Sequence, residues 1–124
     1  VQWEDFHKRN AFRILETYAR RLPSFNDDIQ GTAAVAVAAM LAALRITKQA
    51  AGAQRVVFMG AGEACTGIAQ LLALAMAEDG ASAEAIQASR FVFDSRGLLR
   101  EGADIDDPRK RALAAPRHVL AQYG

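Results

Sequence analysis

The sequence has little cysteine and little net charge, which argues against a disulfide-stabilised fold and against binding by overall charge. Its single cysteine, Cys65, cannot form an internal disulfide, which is consistent with a reducing compartment and predicts a location in the cytoplasm or an organelle matrix. The net charge is only +1 and both signs are interspersed, so no overall field would attract nucleic acid or an anionic membrane. We find no signal-like leader and no internal repeat in the sequence.

Long apolar runs are also lacking. The uncharged run from Ala33 to Leu44 falls short of the roughly 20 residues that a membrane helix needs, so it predicts a buried helix of a soluble domain. The basic cluster at 109–111 is faced by Asp104, Asp106 and Asp107, which indicates a solvated charged surface. With 124 residues, 52% of them hydrophobic, the chain can bury one core and predicts one domain.

Two helices are predicted before the first strand. Apolar residues recur with helical spacing from Phe6 to Arg21, and Pro23 ends this helix because it disfavours helical geometry at Leu22. A second, alanine-rich helix is predicted from about Ile29 to Lys48.

Pairs of acids stand at the start of both predicted helices. Glu4 and Asp5 precede the first, and Asp27 and Asp28 lie in the turn Phe25 to Thr32 ahead of the second. One interpretation is that they are N-caps or first-turn acids, because free amides and partial positive charge at a helix start stabilise anions. The other is that they are site residues, since carboxylates bracketed by apolar side chains need a partner.

A glycine turn follows a predicted strand. Arg55 to Met59 is typical of a buried parallel strand, and a helix to about Glu78 follows the glycines. Gly60 permits a tight turn, while Gly62 lets the backbone approach a pyrophosphate at the helix N-terminus. Cys65 holds the third position of this dinucleotide fingerprint and is small enough for close packing. A purely structural glycine turn is the alternative.

The rest of the chain completes a β-α-β pattern. A short helix from Ser82 to Ser89 leads to a predicted strand, Arg90 to Asp94, whose final acid would accept hydrogen bonds from the adenosine ribose. Beyond it, short helices are predicted at 109–114 and 118–123. The predicted fold class is α/β, a Rossmann-like dinucleotide-binding half (βαβ) preceded by two helices.

Five blocks of the sequence resemble the malic enzymes, which oxidatively decarboxylate malate. They are E-D-F at Glu4–Phe6, N-A-F-R at Asn10–Arg13, F-N-D-D-I-Q-G-T at Phe25–Thr32, G-A-G-E-A at Gly60–Ala64 and D-S-R-G-L at Asp94–Leu98. The resemblance covers nearly the whole chain and implies a fragment of something longer, because Val1 stands in the middle of what looks like a family block. It implies a partial NAD(P)-binding domain: a helical metal-binding segment at 1–48, the βαβ dinucleotide unit at 55–99 and a helical and loop tail at 100–124.

The resemblance also implies a metal site. Glu4, Asp5 and Asp28 would hold Mg²⁺ or Mn²⁺, and carboxylates suit these hard ions. Asp27 would support the catalytic lysine by hydrogen bonding. The family's lysine base and tyrosine acid match no residue of this chain, so we expect these 124 residues alone to be inactive.

The cofactor implied is NAD or NADP. The resemblance and the fingerprint assign its contacts to Gly60, Gly62, Glu63, Ala64, Asp94, Ser95 and Arg96. Lys8 departs from the family, where many relatives have an asparagine close to the cofactor. Asp94 suits a free 2′-hydroxyl, whereas Ser95, Arg96 and the 109–111 cluster could meet a 2′-phosphate, so NADP is slightly favoured.

The reaction implied is oxidative decarboxylation of (S)-malate to pyruvate and CO₂, with hydride transfer to NAD(P), in a homo-oligomeric enzyme. Two alternatives stay open at this point. One is a non-catalytic Rossmann-like module that binds a dinucleotide, with the acids serving as caps. The other is a metal-free dehydrogenase domain, such as one acting on amino acids, and metal dependence separates both from the first.

Overall fold

Two short strands lie near the N-terminus. The computed structural model describes residues 1–123, except for the side chain of Lys8. Strands β1 (Gln2–Trp3) and β2 (Phe25–Asn26) pair in parallel, with Trp3 opposite Asn26. The sequence does not predict these strands, because two residues are too few for an alternating pattern to be visible.

Helix α1 (Lys8–Tyr18) is shorter than the predicted helix from Phe6 to Arg21. Before its start, Asp5 has a left-handed φ of 60°, which interrupts helical geometry. Beyond its end, the chain must approach Pro23 through Leu22, and the residue before a proline is kept out of the helical region. The amphipathic helix is therefore confirmed, with fewer residues at both ends.

The predicted helix from Ile29 to Lys48 divides into two parts. A π-helical turn (Asp27–Gly31) leads directly into helix α2 (Thr32–Thr47). The amide of Thr32 donates to the carbonyl of Asp27, five residues back, which widens the first turn. Lys48 ends α2 with a left-handed φ of 56°.

A parallel strand pair forms the centre of the chain. Strands β3 (Val56–Met59) and β4 (Arg90–Asp94) are linked by helices α3 (Glu63–Glu78) and α4 (Ala83–Ala88). Strand β5 (Gly97–Leu98) turns back antiparallel to β4. This order confirms the predicted α/β fold, a Rossmann-like half preceded by two helices.

Helix α2 is not the buried helix that the sequence predicts. Ala33, Val37 and Leu44 are buried where α2 packs on α3, whereas Val35 and Ile46 are 73% and 84% exposed. Because alanines lie on all sides of α2, the helix has no single apolar stripe. Its sequence therefore does not predict which side packs against the rest of the fold. The continuous helical stretch Asp27–Thr47 has 21 residues, longer than the 33–44 run suggests, and is long and apolar enough to cross a membrane. Core helices of soluble proteins pass the same test.

The tail forms two single-turn helices, α5 (Pro108–Arg111) and α6 (Arg117–Leu120). Helix α5 starts where predicted, capped by Asp107, but ends before the predicted Ala114 because Ala115 bridges to the strand-like Arg100. The tail closes a core with α3 and the sheet. Its buried members include Phe58, Leu72, Met76, Val92, Leu99, Ile105 and Leu113.

Candidate functional site

Two acids that are distant in sequence lie side by side. The backbone amide of Asp5 donates to Asp28 Oδ2 at 3.0 Å. Asp5 adopts its left-handed backbone there, a conformation that aspartate tolerates better than most residues. Both acids line an open cleft of about 500 Å³, which we call the acid cleft, together with His7, Thr32 and Glu63.

Glu4 points elsewhere. Its Oε2 accepts a hydrogen bond from Gln2 Nε2 at 3.2 Å, and the same amide group donates to Asp27 Oδ2 at 2.8 Å. Within residues 1–123, no three Asp, Glu, His or Cys side chains come together in a way that could hold an ion. The structure thus brings Asp5 and Asp28 together and leaves Glu4 beside Gln2. Nothing in the sequence pattern marks Gln2.

The cap of the π-helical turn is Asn26. The Asn26 side chain is fully buried, and its Oδ1 accepts from the Ile29 amide at 3.0 Å. The backbone amide of Asn26 donates to Gln30 Oε1 at 3.0 Å. Asp27 and Asp28 occupy the first turn, where the helix dipole favours anions. Asn26 is therefore the N-cap, and Asp27 and Asp28 are first-turn acids, as the first interpretation allows.

The glycine turn leaves its backbone open. Gly60 has a φ of 128°, in the region that favours glycine, and its amide donates to the Phe93 carbonyl at 2.9 Å. Gly62 precedes α3 with an extended backbone, and an added Cβ there would meet nothing within 4 Å. A ligand can therefore approach the free amides at the N-terminus of α3.

A second cleft, the turn cleft, opens at this point. It measures about 310 Å³, and Gly62 and Glu63 lie on its wall. Glu63 also lines the acid cleft, together with its neighbour Ala64. The two clefts therefore meet at Glu63.

Close packing of α3 is found at Gly67. An added Cβ on Gly67 would overlap the carbonyl oxygen of Ile29 in the π-helical turn. A glycine inside a helix lowers stability by about 1 kcal/mol relative to alanine. A glycine within a predicted helix, such as Gly67, therefore indicates that another part of the chain packs closely there.

Cys65 is half-buried against the core. Burial raises the pKa of its thiol, and the nearby Lys110 cation partly opposes this rise.

Asp94 ends β4 with both carboxylate oxygens engaged. Oδ1 accepts from the Arg96 amide at 2.8 Å, and Oδ2 pairs with Lys110 Nζ at 3.1 Å. The bond from the Arg96 amide, and then that from Lys110, lower the pKa of this carboxyl. Ser95 and Arg96 are exposed in the turn that follows. The pairing of Lys110 with Asp94 is not predicted from the sequence, which places Lys110 only in the basic 109–111 cluster that could meet a 2′-phosphate.

The side chain of Lys8 lies outside the described residues, so the departure at that position stays a prediction. For the remaining site residues, the arrangement is that of a known class. Parallel strands joined by a helix that starts at a glycine turn, with an acid ending the second strand, define the first half of a dinucleotide-binding α/β domain. Residues 29–123 match the family model described as malic enzyme, NAD binding domain. The chain belongs to the malic enzyme family, which confirms the resemblance seen in its five sequence blocks.

Similar proteins include NADP-dependent malic enzymes of animals. The chain is 53% identical over 102 residues to that of Mus musculus, which covers 82% of this chain and 18% of the relative. It is 48% identical over 114 residues to that of Columba livia, covering 92% of this chain and 20% of the relative. The chain thus spans about a fifth of the length of the curated relatives it matches.

Solved structures of malic enzymes share the fold. The malic enzyme of Entamoeba histolytica is 30% identical with a TM-score of 0.75, covering 94% of this chain and 24% of that one. The NAD-dependent malic enzyme of Thermotoga maritima is 29% identical with a TM-score of 0.73, covering 91% of this chain and 28% of that one.

Proposed function

We propose that this chain forms the acid-rich and dinucleotide-binding part of an enzyme that converts (S)-malate to pyruvate and CO₂ with hydride transfer to NAD(P). The observation that carries the proposal is the meeting of the acid cleft and the turn cleft at Glu63. Hydride transfer requires the substrate alcohol and the nicotinamide to be held close together. We also propose a homo-oligomer in the cytoplasm or an organelle matrix, with malate and pyruvate as partners and no role for nucleic acid or membranes.

The proposal includes a divalent cation. Asp5 and Asp28 are hard oxygen donors on one wall and fit Mg²⁺ or Mn²⁺, and Glu4 is the third acid that we assign to the ion. When bound, the cation would act as a Lewis acid on the 2-hydroxyl of malate. Asp27, held by Gln2, is assigned to support the catalytic lysine.

In this proposal, the residues of this chain bind the dinucleotide and orient the acids of the metal site. The Asp5 amide orients the Asp28 carboxylate, and the open backbone at Gly62 receives the dinucleotide. No lysine or tyrosine here matches the family's general base or acid, so we propose that the chain alone does not turn over malate. Steady NAD(P)H production from malate by these 124 residues would contradict this expectation.

We propose NADP as the preferred cofactor. Lys110 and Arg96 stand beside Asp94, where a 2′-phosphate would lie next to the adenosine ribose. A free 2′-hydroxyl would instead have to compete with Lys110 for Asp94 Oδ2. We expect Lys110→Met to weaken NADPH binding and to leave NADH binding nearly unchanged. An equal effect on both dinucleotides would contradict the assignment.

A second candidate function is a non-catalytic dinucleotide-binding module. It is favoured by one observation, that no three candidate ligands converge within residues 1–123. Metal dependence separates the two candidates, because a module with no metal site gains nothing from Mn²⁺.

The test is thermal denaturation with Mn²⁺ and with a chelator. We expect Mn²⁺ to raise the melting temperature of the chain, since a ligand that binds only the folded state stabilises it, and Asp28→Asn to abolish the rise. Asp104→Asn is the matched control, because this exposed acid lies in the tail away from the acid cleft. Equal melting temperatures with and without Mn²⁺ would favour the non-catalytic module.

A further inference from the structure

The turn cleft is built from three separate parts of the chain. Helix α1 contributes Arg9 and Phe12, the glycine turn contributes Gly62 and Glu63, and the start of α5 contributes Arg109 among others. Arg9 lies outside residues 29–123, which match the NAD-binding family model. The segment ahead of that domain therefore forms part of the wall where the dinucleotide would enter.

The charges of this cleft need a cation near the phosphates. Glu63 and Asp107 place carboxylates on its wall, and carboxylates repel a pyrophosphate. The free amides of α3 supply only partial positive charge. Arg9 and Arg109 are the full positive charges on the described wall of the cleft.

Arg109 already has partners. One of its terminal nitrogens pairs with Glu16 Oε1 at 2.8 Å, and its guanidinium lies 4.2 Å from the centroid of the Phe12 ring. These contacts engage the Arg109 guanidinium and hold it against α1. Within the described part of the chain, by contrast, Arg9 forms no ion pair and its side chain is exposed.

We propose that Arg9 binds the pyrophosphate of the dinucleotide. A guanidinium offers paired N–H donors that match two phosphate oxygens, and Arg9 shares the turn cleft with the N-terminus of α3, where those oxygens would lie. Arg9 therefore supplies the charge that offsets Glu63. This assignment rests on the proposed dinucleotide function and adds a contact from outside the family-matched domain.

The test measures binding of three ligands to the full chain by calorimetry. ADP-ribose carries the pyrophosphate without the nicotinamide, 2′-AMP lacks the pyrophosphate, and NADPH is the whole cofactor. We expect Arg9→Gln to weaken ADP-ribose and NADPH binding about tenfold, as the loss of a charge-assisted phosphate contact would do, and to change 2′-AMP binding less than about twofold. Arg9→Lys should recover part of the loss because it keeps the charge.

Arg13→Gln is the matched control. Arg13 is exposed on the same helix, lies one turn further on and is not on the wall of the turn cleft. We expect this variant to bind all three ligands as the wild type does. Unchanged ADP-ribose affinity in Arg9→Gln, or an equal loss for 2′-AMP, overturns the assignment to Arg9 alone. Failure of the wild type to bind both ADP-ribose and NADPH overturns the dinucleotide function itself.

Discussion

Asp94 is the residue at which pH should act on this molecule. Hydrogen bonds from the Arg96 amide and from Lys110 lower the pKa of its carboxyl. A carboxyl whose pKa is lower in the folded than in the unfolded chain adds stability above the unfolded value, about 4 for aspartate. This contribution is lost as the pH falls through the folded pKa.

Lys110→Met removes one of the two bonds. We expect this variant to melt below the wild type near neutral pH, and the difference to narrow as the pH falls from about 4, the pKa of aspartate in the unfolded chain, through the lower pKa of Asp94 in the folded chain. Thermal denaturation as a function of pH measures the effect. Lys48→Met, at the exposed end of α2, is the comparison: within residues 1–123 Lys48 forms no ion pair, so we expect a smaller change in melting temperature that depends less on pH. A Lys110→Met deficit that is independent of pH would contradict the assignment.

Gly67 and Gly62 should respond in opposite ways to the same substitution. Gly67→Ala places a Cβ against the Ile29 carbonyl, so we expect a loss of about 2 kcal/mol in the free energy of unfolding, even though alanine favours the helix by about 1 kcal/mol. Gly62→Ala meets no atom and should leave this free energy nearly unchanged while it weakens ADP-ribose binding. Urea denaturation and calorimetry test the pair. A destabilised Gly62→Ala variant would be inconsistent with the open turn.

At the scale of elements, the stretch Asp27–Thr47 depends on a buried cap. Asn26→Ala removes the acceptor of the Ile29 amide, and we expect it to cost about 1–2 kcal/mol in urea denaturation. Ser82→Ala, which removes the cap of the short exposed helix α4, is the comparison and should cost less, about 0.5 kcal/mol. Equal losses would mean that burial adds nothing to the Asn26 cap.

The elements that carry strong local signals are those the sequence predicts. Strand β4 and helix α3 match their predicted bounds because a short run of aromatic and β-branched residues and a helical apolar face each identify an element without help from the rest of the fold. Ser82 caps α4 as its sequence indicates. The π-helical turn carries no such signal, because it depends on how Ile29 packs against Gly67, a contact across 38 positions of sequence.

The candidate site follows the same division. The glycine turn and Asp94 are found from their sequence because each stands at the end of a recognisable strand. Three contacts of the site join segments that are distant in sequence. They are Asp5 with Asp28, Gln2 with Asp27, and Lys110 with Asp94. Local patterns hold no information on such contacts, and only the fold supplies it.

At the scale of the whole molecule, large apolar side chains are exposed. Val35 and Ile46 lie about three turns apart on one side of α2, and an exposed apolar face favours association. We expect Val35→Glu with Ile46→Glu to lower the fluorescence of a hydrophobic dye bound to the chain and to reduce light scattering, without loss of NADPH binding. The charge-matched control is Ala83→Glu with Ala85→Glu, on exposed alanines of the separate helix α4. Equal dye binding by all these proteins would show that the α2 face does not drive association.

The contact of Gly67 with the Ile29 carbonyl has a mechanical consequence. The helix that would receive the phosphates is pressed directly on the turn that carries Asp28, with no side chain between them to give way. A displacement of the turn would therefore be transmitted directly to α3. In the proposed enzyme, the spacing between Asp28 and the dinucleotide-binding turn would depend on this contact, which exists only because residue 67 has no side chain.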